Sequence, residues 1–218
     1  MNAHDAVWGQ RHGDATALLS TDGRYRYYLT RELPGGAAPL HFVMLNPSKA
    51  TAGQDDPTIR RCLGYARAVG AGGLHVWNLF AWRTTHPDEL PLDDSAIGPA
   101  NEGTISTALT TAAATGAVVV AAWGAHQHPL KARQVARLLA AAADHRVPLQ
   151  VLAMTRRGEP GHPLRLPRSL RPRPATLEAS CCPGCGCTTA QGCWPGCWWV
   201  RDPSGVRVCS QCAGRWRR

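Results

Sequence analysis

Apolar residues gather along this chain in short dense runs: LHFVML at 40–45, LHVWNLFAW at 74–82, AVVVAAWG at 117–124 and LQVLAMT at 149–155. Runs of this length, apolar at both odd and even positions, predict strands covered on both faces. The stretches between them carry helical periodicity. IRRCLGYARAVG places Ile59, Cys62, Leu63 and Ala66 on one face, with Asp56 at the N-cap and Pro57 at the first helical position. A second helix is expected over 99–115, and a third in PLKARQVARLLAAAADHR, turning Val135, Leu138 and Leu139 inward. Strand and helix alternate, which predicts an α/β domain: a three-layer αβα arrangement around a four-stranded, mainly parallel sheet. Upstream, ATALLSTDGRYRYYLTRE holds Asp22-Gly23 between alternating segments, the pattern of a hairpin.

In a parallel sheet, ligands gather beyond the carboxyl ends of the strands. Those ends carry Asn46-Pro47-Ser48, Asn78-Leu79-Phe80, Trp123-Gly124-Ala125-His126, and Thr155 leading on to His162-Pro163. After this the composition changes. Arginine and proline alternate through LRLPRSLRPRPATLEAS, so the chain divides into a domain at 1–165 with its N-terminal hairpin, an extended linker at 166–180 and a cysteine-rich module at 181–218.

Charge narrows the partners. A formal net charge of +9 and a pI near 9.4 favour a polyanion, since cations near a phosphate backbone release condensed counterions. Much of the excess is arginine, whose planar fork suits phosphate oxygens. Arg60 and Arg61 on the first helix, with Arg165 and Arg168 beyond the fourth strand, are the candidate nucleic-acid contacts. No run approaches the length of a membrane span and the first residues lack the apolar core of a signal peptide, so a cytoplasmic monomer without a membrane partner is expected.

Eight of the nine cysteines lie beyond residue 180. Cys182/Cys185 and Cys209/Cys212 form two Cys-x-x-Cys pairs bracketing Cys187, Cys193 and Cys197. Two such pairs supply four thiolates able to close a tetrahedron around a structural zinc, in a segment too poor in apolar residues to fold on a core alone. Seven cysteines exceed one zinc, so the ligand set stays open and an iron–sulfur cluster is the lesser alternative. Trp194, Trp198, Trp199 and Trp216 beside Arg201, Arg207 and Arg215 add the mix of stacking surface and charge that nucleic acid favours.

The ordered motifs MLNPS, DDPTIRR, NLFAWR, AWG and HPL over about 40–165 resemble the bacterial and phage family known as domain of unknown function 1643 (DUF1643). More distantly, Asn46-Pro47, Asn78 with Arg83, Gly124 and His162-Pro163 follow one another as the strand-end motifs of the uracil-DNA glycosylase superfamily do. That resemblance implies a uracil-DNA-glycosylase-like fold and base excision from DNA. Met44, Ser48 and Leu164 depart from its pattern, which usually has Gly, Gly and Ser there. The cysteine pattern is similar to small treble-type fingers of phage and bacterial proteins.

Excision leaves positive charge on the sugar and negative charge on the base, so the protein has to place a water and stabilise an anion. The resemblance implies that Asn46 holds the water, that His162 donates to the base, and that Pro47, Ser48, Asn78, Phe80, Arg83, Trp123 and Gly124 line the base pocket. Asp56, if not only a cap, would serve as a further acid or base. A noncatalytic protein that senses a modified base, and an enzyme acting on free nucleotides or RNA, are the competing expectations.

Overall fold

The computed structural model describes residues 7–34 and 36–177, together with the backbone of 199–201 and 207–209. Eight strands form one sheet: β1 (Val7–His12), β2 (Ala15–Ser20), β3 (Arg26–Glu32), β4 (Leu40–Met44), β5 (Gly73–Asn78), β6 (Val119–Ala121), β7 (Leu149–Val151) and β8 (Arg173–Pro174). Their order is β1-β2-β3-β5-β4-β6-β7-β8. Three α-helices accompany them among the described residues: α1 (Pro57–Ala68), α2 (Asn101–Thr115) and α3 (Lys131–Asp144). A separate antiparallel pair, β9 (Trp199–Arg201) with β10 (Arg207–Cys209), lies in the cysteine-rich segment.

The expected four-stranded, mainly parallel, three-layer αβα sheet is not what the chain forms. The four dense apolar runs do supply β4, β5, β6 and β7, which pair in parallel. They are half of a larger mixed sheet. The hairpin docks β3 antiparallel on β5, β1 and β2 extend that wing, and β8 pairs antiparallel with β7, so antiparallel pairings outnumber parallel ones. A uracil-DNA-glycosylase-like architecture is set aside with it. The physical reason lies in the added strands. β1 is exposed along nearly all its length and so has no buried face to give an alternating pattern. β8 is a two-residue edge strand containing a proline, which an edge tolerates because one N–H is not needed there.

The sheet buries both faces. On one, Ile59, Cys62, Leu63, Tyr65 and Ala66 of α1 pack over Phe42, Val76 and Val120. On the other, Ile105, Leu109 and Ala112 of α2 and Leu138 and Ala142 of α3 pack over Val43, Trp77 and Ala121. Asp56 caps α1 as its position predicts, accepting from the Ile59 N–H at 2.8 Å, with Pro57 first in the helix. Where the chain enters β5, Gly72 runs against the 36–37 backbone so closely that a Cβ there would lie 2.1 Å from the Ala37 carbonyl oxygen.

Residues 166–177, within the stretch read as a linker, run back along the domain. The Leu166 carbonyl accepts from Arg61 and the Pro167 carbonyl from the Tyr65 hydroxyl at 2.9 Å. Leu166 and Leu170 pack on the α1 face, Ala175 and Leu177 on the other. Cys182, Cys185, Cys187, Cys193, Cys197 and Cys212, and with them the zinc and iron–sulfur expectations, lie outside the described residues; of Cys209 only the backbone is described.

Candidate active site and nucleic-acid interface

The expected site residues are divided between the two faces of the sheet. Asn78 follows Leu74 and Val76 onto the α1 face at the end of β5, while Phe80 sits in the core of the opposite face. There the Phe80 ring lies 4.5 Å from that of His128, and Trp123, also buried, donates its indole N–H to Glu159 at 2.9 Å. Trp82, a further stacking candidate, presents its ring to the edge of Tyr25 and lies under Arg24. Arg83 donates to the Gly23 carbonyl at 2.8 Å. Phe80 and Trp123 therefore do not join Asn78 in one pocket.

The end of β4, the cap of α1 and the segment before the Pro163–Arg165 turn carry the other candidates. Asn46, just past β4, donates its amide nitrogen to the Thr84 carbonyl at 2.9 Å and to the Pro47 carbonyl at 3.1 Å. Its oxygen has no partner among the described residues. Pro47 is buried and in turn accepts from the Thr84 N–H at 3.0 Å, which ties the end of β4 to the segment after β5. Ser48 is half-buried. Burial lowers the pKa of His162, with Arg165 adding to the effect and Asp56 opposing it. Asp56 likewise opposes the effect of burial on Arg26, and it adds to it at Cys62, whose thiol pKa burial raises. One carboxylate thus influences residues from β3, α1 and the 163–165 turn. Gly124, at φ +74, allows close approach here: its Cβ would lie 3.3 Å from His162.

The loop between β4 and α1 is anchored by the antiparallel wing. Arg26 donates to the Ala50 carbonyl at 2.9 Å, Arg31 donates to the Thr51 carbonyl at 2.6 Å and pairs with Asp55 at 2.8 Å, and Gln10 of β1 accepts from the Ala52 N–H at 3.2 Å. A β-bulge sets this geometry. The β2–β3 register passes from Leu18 opposite Tyr28 to Leu19 opposite Arg26, leaving Tyr27 as the extra residue. The bulge turns Arg26 onto the α1 face.

Beside the rim lies a groove of about 470 Å³. Arg60, Arg61, Arg67 and Arg168 line it with Tyr65, and no carboxylate lines it. Arg165 is exposed in the adjoining 3-10 turn Pro163–Arg165. A concavity lined by cations over apolar stems focuses potential on an anionic ligand.

Several residues of this region carry no sequence signal of their own. Arg26 and Arg67 resemble any other arginine in a basic chain. Asn101, which is buried and donates to the Asn78 and Leu79 carbonyls at 3.1 Å, sits in a helix start. Lys131 is buried and paired with Glu159 at 2.9 Å, and its spacing from that glutamate is not a motif.

Fold and site together define an α/β protein with a mixed sheet, a polar rim at the ends of its parallel strands and an arginine groove. A family model described as a protein of unknown function (DUF1643) matches residues 26–164, more than half of the chain, and the chain belongs to that family. No curated protein and no solved structure matches it.

Proposed function

We propose that this protein acts on nucleic acid, holding phosphates in the groove of Arg60, Arg61, Arg67 and Arg168 and presenting one nucleotide to the rim of Asn46, Asp56 and His162. The groove carries the reading: four arginines line one concavity beside the rim, with no acidic residue among its lining. Guanidinium groups so placed meet a phosphate backbone with bidentate geometry and exchange its counterions for themselves.

The chemistry that best suits the rim is hydrolysis of a base–sugar bond, on a base taken out of the stack. Two carbonyls hold the Asn46 amide by its nitrogen, which aims the remaining oxygen as an acceptor for a water. The water oxygen bonds to C1′ as the C1′–N bond breaks, the bonding pair leaves on the base, and the water's proton passes to Asp56. His162, kept neutral by burial, donates its N–H to the base as charge accumulates. The cysteine pairs of the last segment suit a structural zinc by their donor chemistry, and that module adds affinity for the strand.

Incubation with duplex and single-stranded DNA containing uracil, mismatched thymine or modified pyrimidines tests this reading. Abasic sites that form with the wild type and not with Asn46→Ala support excision. Salt-sensitive binding with no cleavage on any substrate favours the second reading, a base-sensing protein. One observation already speaks for that reading: Asn78, the base-reading candidate, is 0% exposed.

A further inference from the structure

Among the described residues three Lys and Arg side chains are buried, and the fold treats one of them differently. Lys131 makes three contacts, with the Gly124 carbonyl at 2.8 Å, the His126 carbonyl at 3.1 Å and the Glu159 carboxylate at 2.9 Å. Arg31 spends its donors on the Asp55 carboxylate and on the Thr30 and Thr51 carbonyls. Arg26 is 1% exposed, yet among the described residues it makes a single hydrogen bond, from Nη1 to the Ala50 carbonyl, and pairs with no carboxylate. Its Nε is buried without a partner. A guanidinium has five N–H donors, and a buried cation without a counter-charge is costly to keep.

The surroundings sharpen the deficit. Arg31 and Arg83 add positive charge near Arg26. The two nearby aspartates are engaged elsewhere: Asp55 is committed to Arg31, and Asp56, although it acts on Arg26 through space, is committed through one oxygen to the Ile59 N–H. On the next strand, facing the same helix, Asn78 is wholly buried with both amide atoms lacking partners among the described residues. Its backbone is not at fault, since the Asn78 carbonyl accepts from Asn101. Two unsatisfied polar side chains thus stand on adjacent strands, one of them turned there by a bulge, and each calls for a partner such as a bound ion.

We infer that Arg26 and Asn78 form a receptor for a single oxyanion, the guanidinium meeting the charged oxygen and the Asn78 amide fixing its orientation. Two sources offer such an oxygen: the phosphate of a nucleotide and the deprotonated oxygen of a departing base. Only that choice rests on the proposed function; the receptor itself does not. The Ala50 loop closes over the site, so the anion enters as the loop yields and the Arg26–Ala50 bond gives way.

The Arg26 Nε–H resonance, assigned by its loss in Arg26→Lys, is followed in the full chain at fixed ionic strength. Inorganic phosphate, barbiturate, a pyrimidine that is anionic at neutral pH, and an uncharged nucleoside are titrated in turn. A saturable shift with phosphate alone supports the receptor with a nucleotide source, and one with barbiturate supports it with a base source. No shift with either anion, or an equal shift with the neutral nucleoside, overturns it. Thermal unfolding gives an independent reading: the binding anion raises the Tm of the wild type and leaves that of Arg26→Met unmoved. An equal rise in both proteins overturns the proposal. Binding by a protein that excises no base leaves the receptor standing and removes only the excision reaction.

Discussion

Asn46 is held through its nitrogen, and that decides what each substitution there does. Asn46→Ala loses two hydrogen bonds to carbonyls, at about 1 kcal/mol each, and Asn46→Asp places a carboxylate oxygen against the Thr84 and Pro47 carbonyls and costs more. Urea unfolding of the two variants gives that order. The histidines at 41 and 75 set a pH dependence. They lie side by side on β4 and β5, ring centroids 4.7 Å apart, with Trp77 donating to His41 and the Tyr28 hydroxyl 2.8 Å from His75. Burial lowers their pKa values from 6.5 to about 3 for His41 and about 4 for His75. Above pH 6.5 both are neutral whether folded or not and contribute nothing to the slope. Below it the unfolded chain binds protons that the folded chain refuses, so stability falls by about 1.4 kcal/mol per pH unit for each until the folded values are reached. Unfolding measured from about pH 7 down to about pH 4 shows this slope, and His41→Phe reduces it by about half. None of this is legible in LHFVML, where His41 reads only as one polar interruption of an apolar run.

At the scale of elements, α1 is the part most fully written in its own sequence. Its cap, its first-turn proline and its buried stripe all follow from residues 56–66. Asp56→Ala therefore costs about 1 kcal/mol of stability beyond any loss of activity. Gly64 faces solvent in the middle of that helix with nothing within 4 Å of an added methyl, so Gly64→Ala stabilises by about 0.5–1 kcal/mol. Gly72→Ala acts in the opposite sense, because the new methyl strikes the Ala37 carbonyl, and thermal melts separate the two glycines by sign. The parallel strands and the hairpin were legible from their apolar runs and turn. Where the hairpin docks was not, since pairing partners are chosen by edges and not by local pattern. The same limit governs the site. Strand ends can be read from the apolar runs, and Asn46 follows one; the face a residue takes beyond a strand end depends on how the chain turns there, and Phe80 and Trp123 lie across the sheet from Asn78. Arg26 was hidden for a related reason, because a bulge leaves no periodicity to read.

For the whole molecule, the excess of positive charge is not spread evenly. Arg60, Arg61, Arg67 and Arg168 share one groove, whereas Arg133 and Arg137 of α3 are neutralised by Asp94 and Glu102. If the groove holds phosphates, replacing any one of its arginines by glutamine lowers the slope of log binding constant against log salt by about 0.9 on duplex DNA. Arg133→Gln leaves that slope unchanged, and fluorescence anisotropy across a salt series reads both. The anchoring of the Ala50–Asp55 loop has one more consequence. Apart from Arg60, which donates to the Asp55 carbonyl at the loop's far end, its clasps come from β1 and β3, and the Ala52 amide is held by Gln10 of β1, a remote part of the fold. Deuterium uptake at Ala52 should keep time with the hairpin and not with α1, and a partner that pries at the outer strands would loosen the rim without ever touching it.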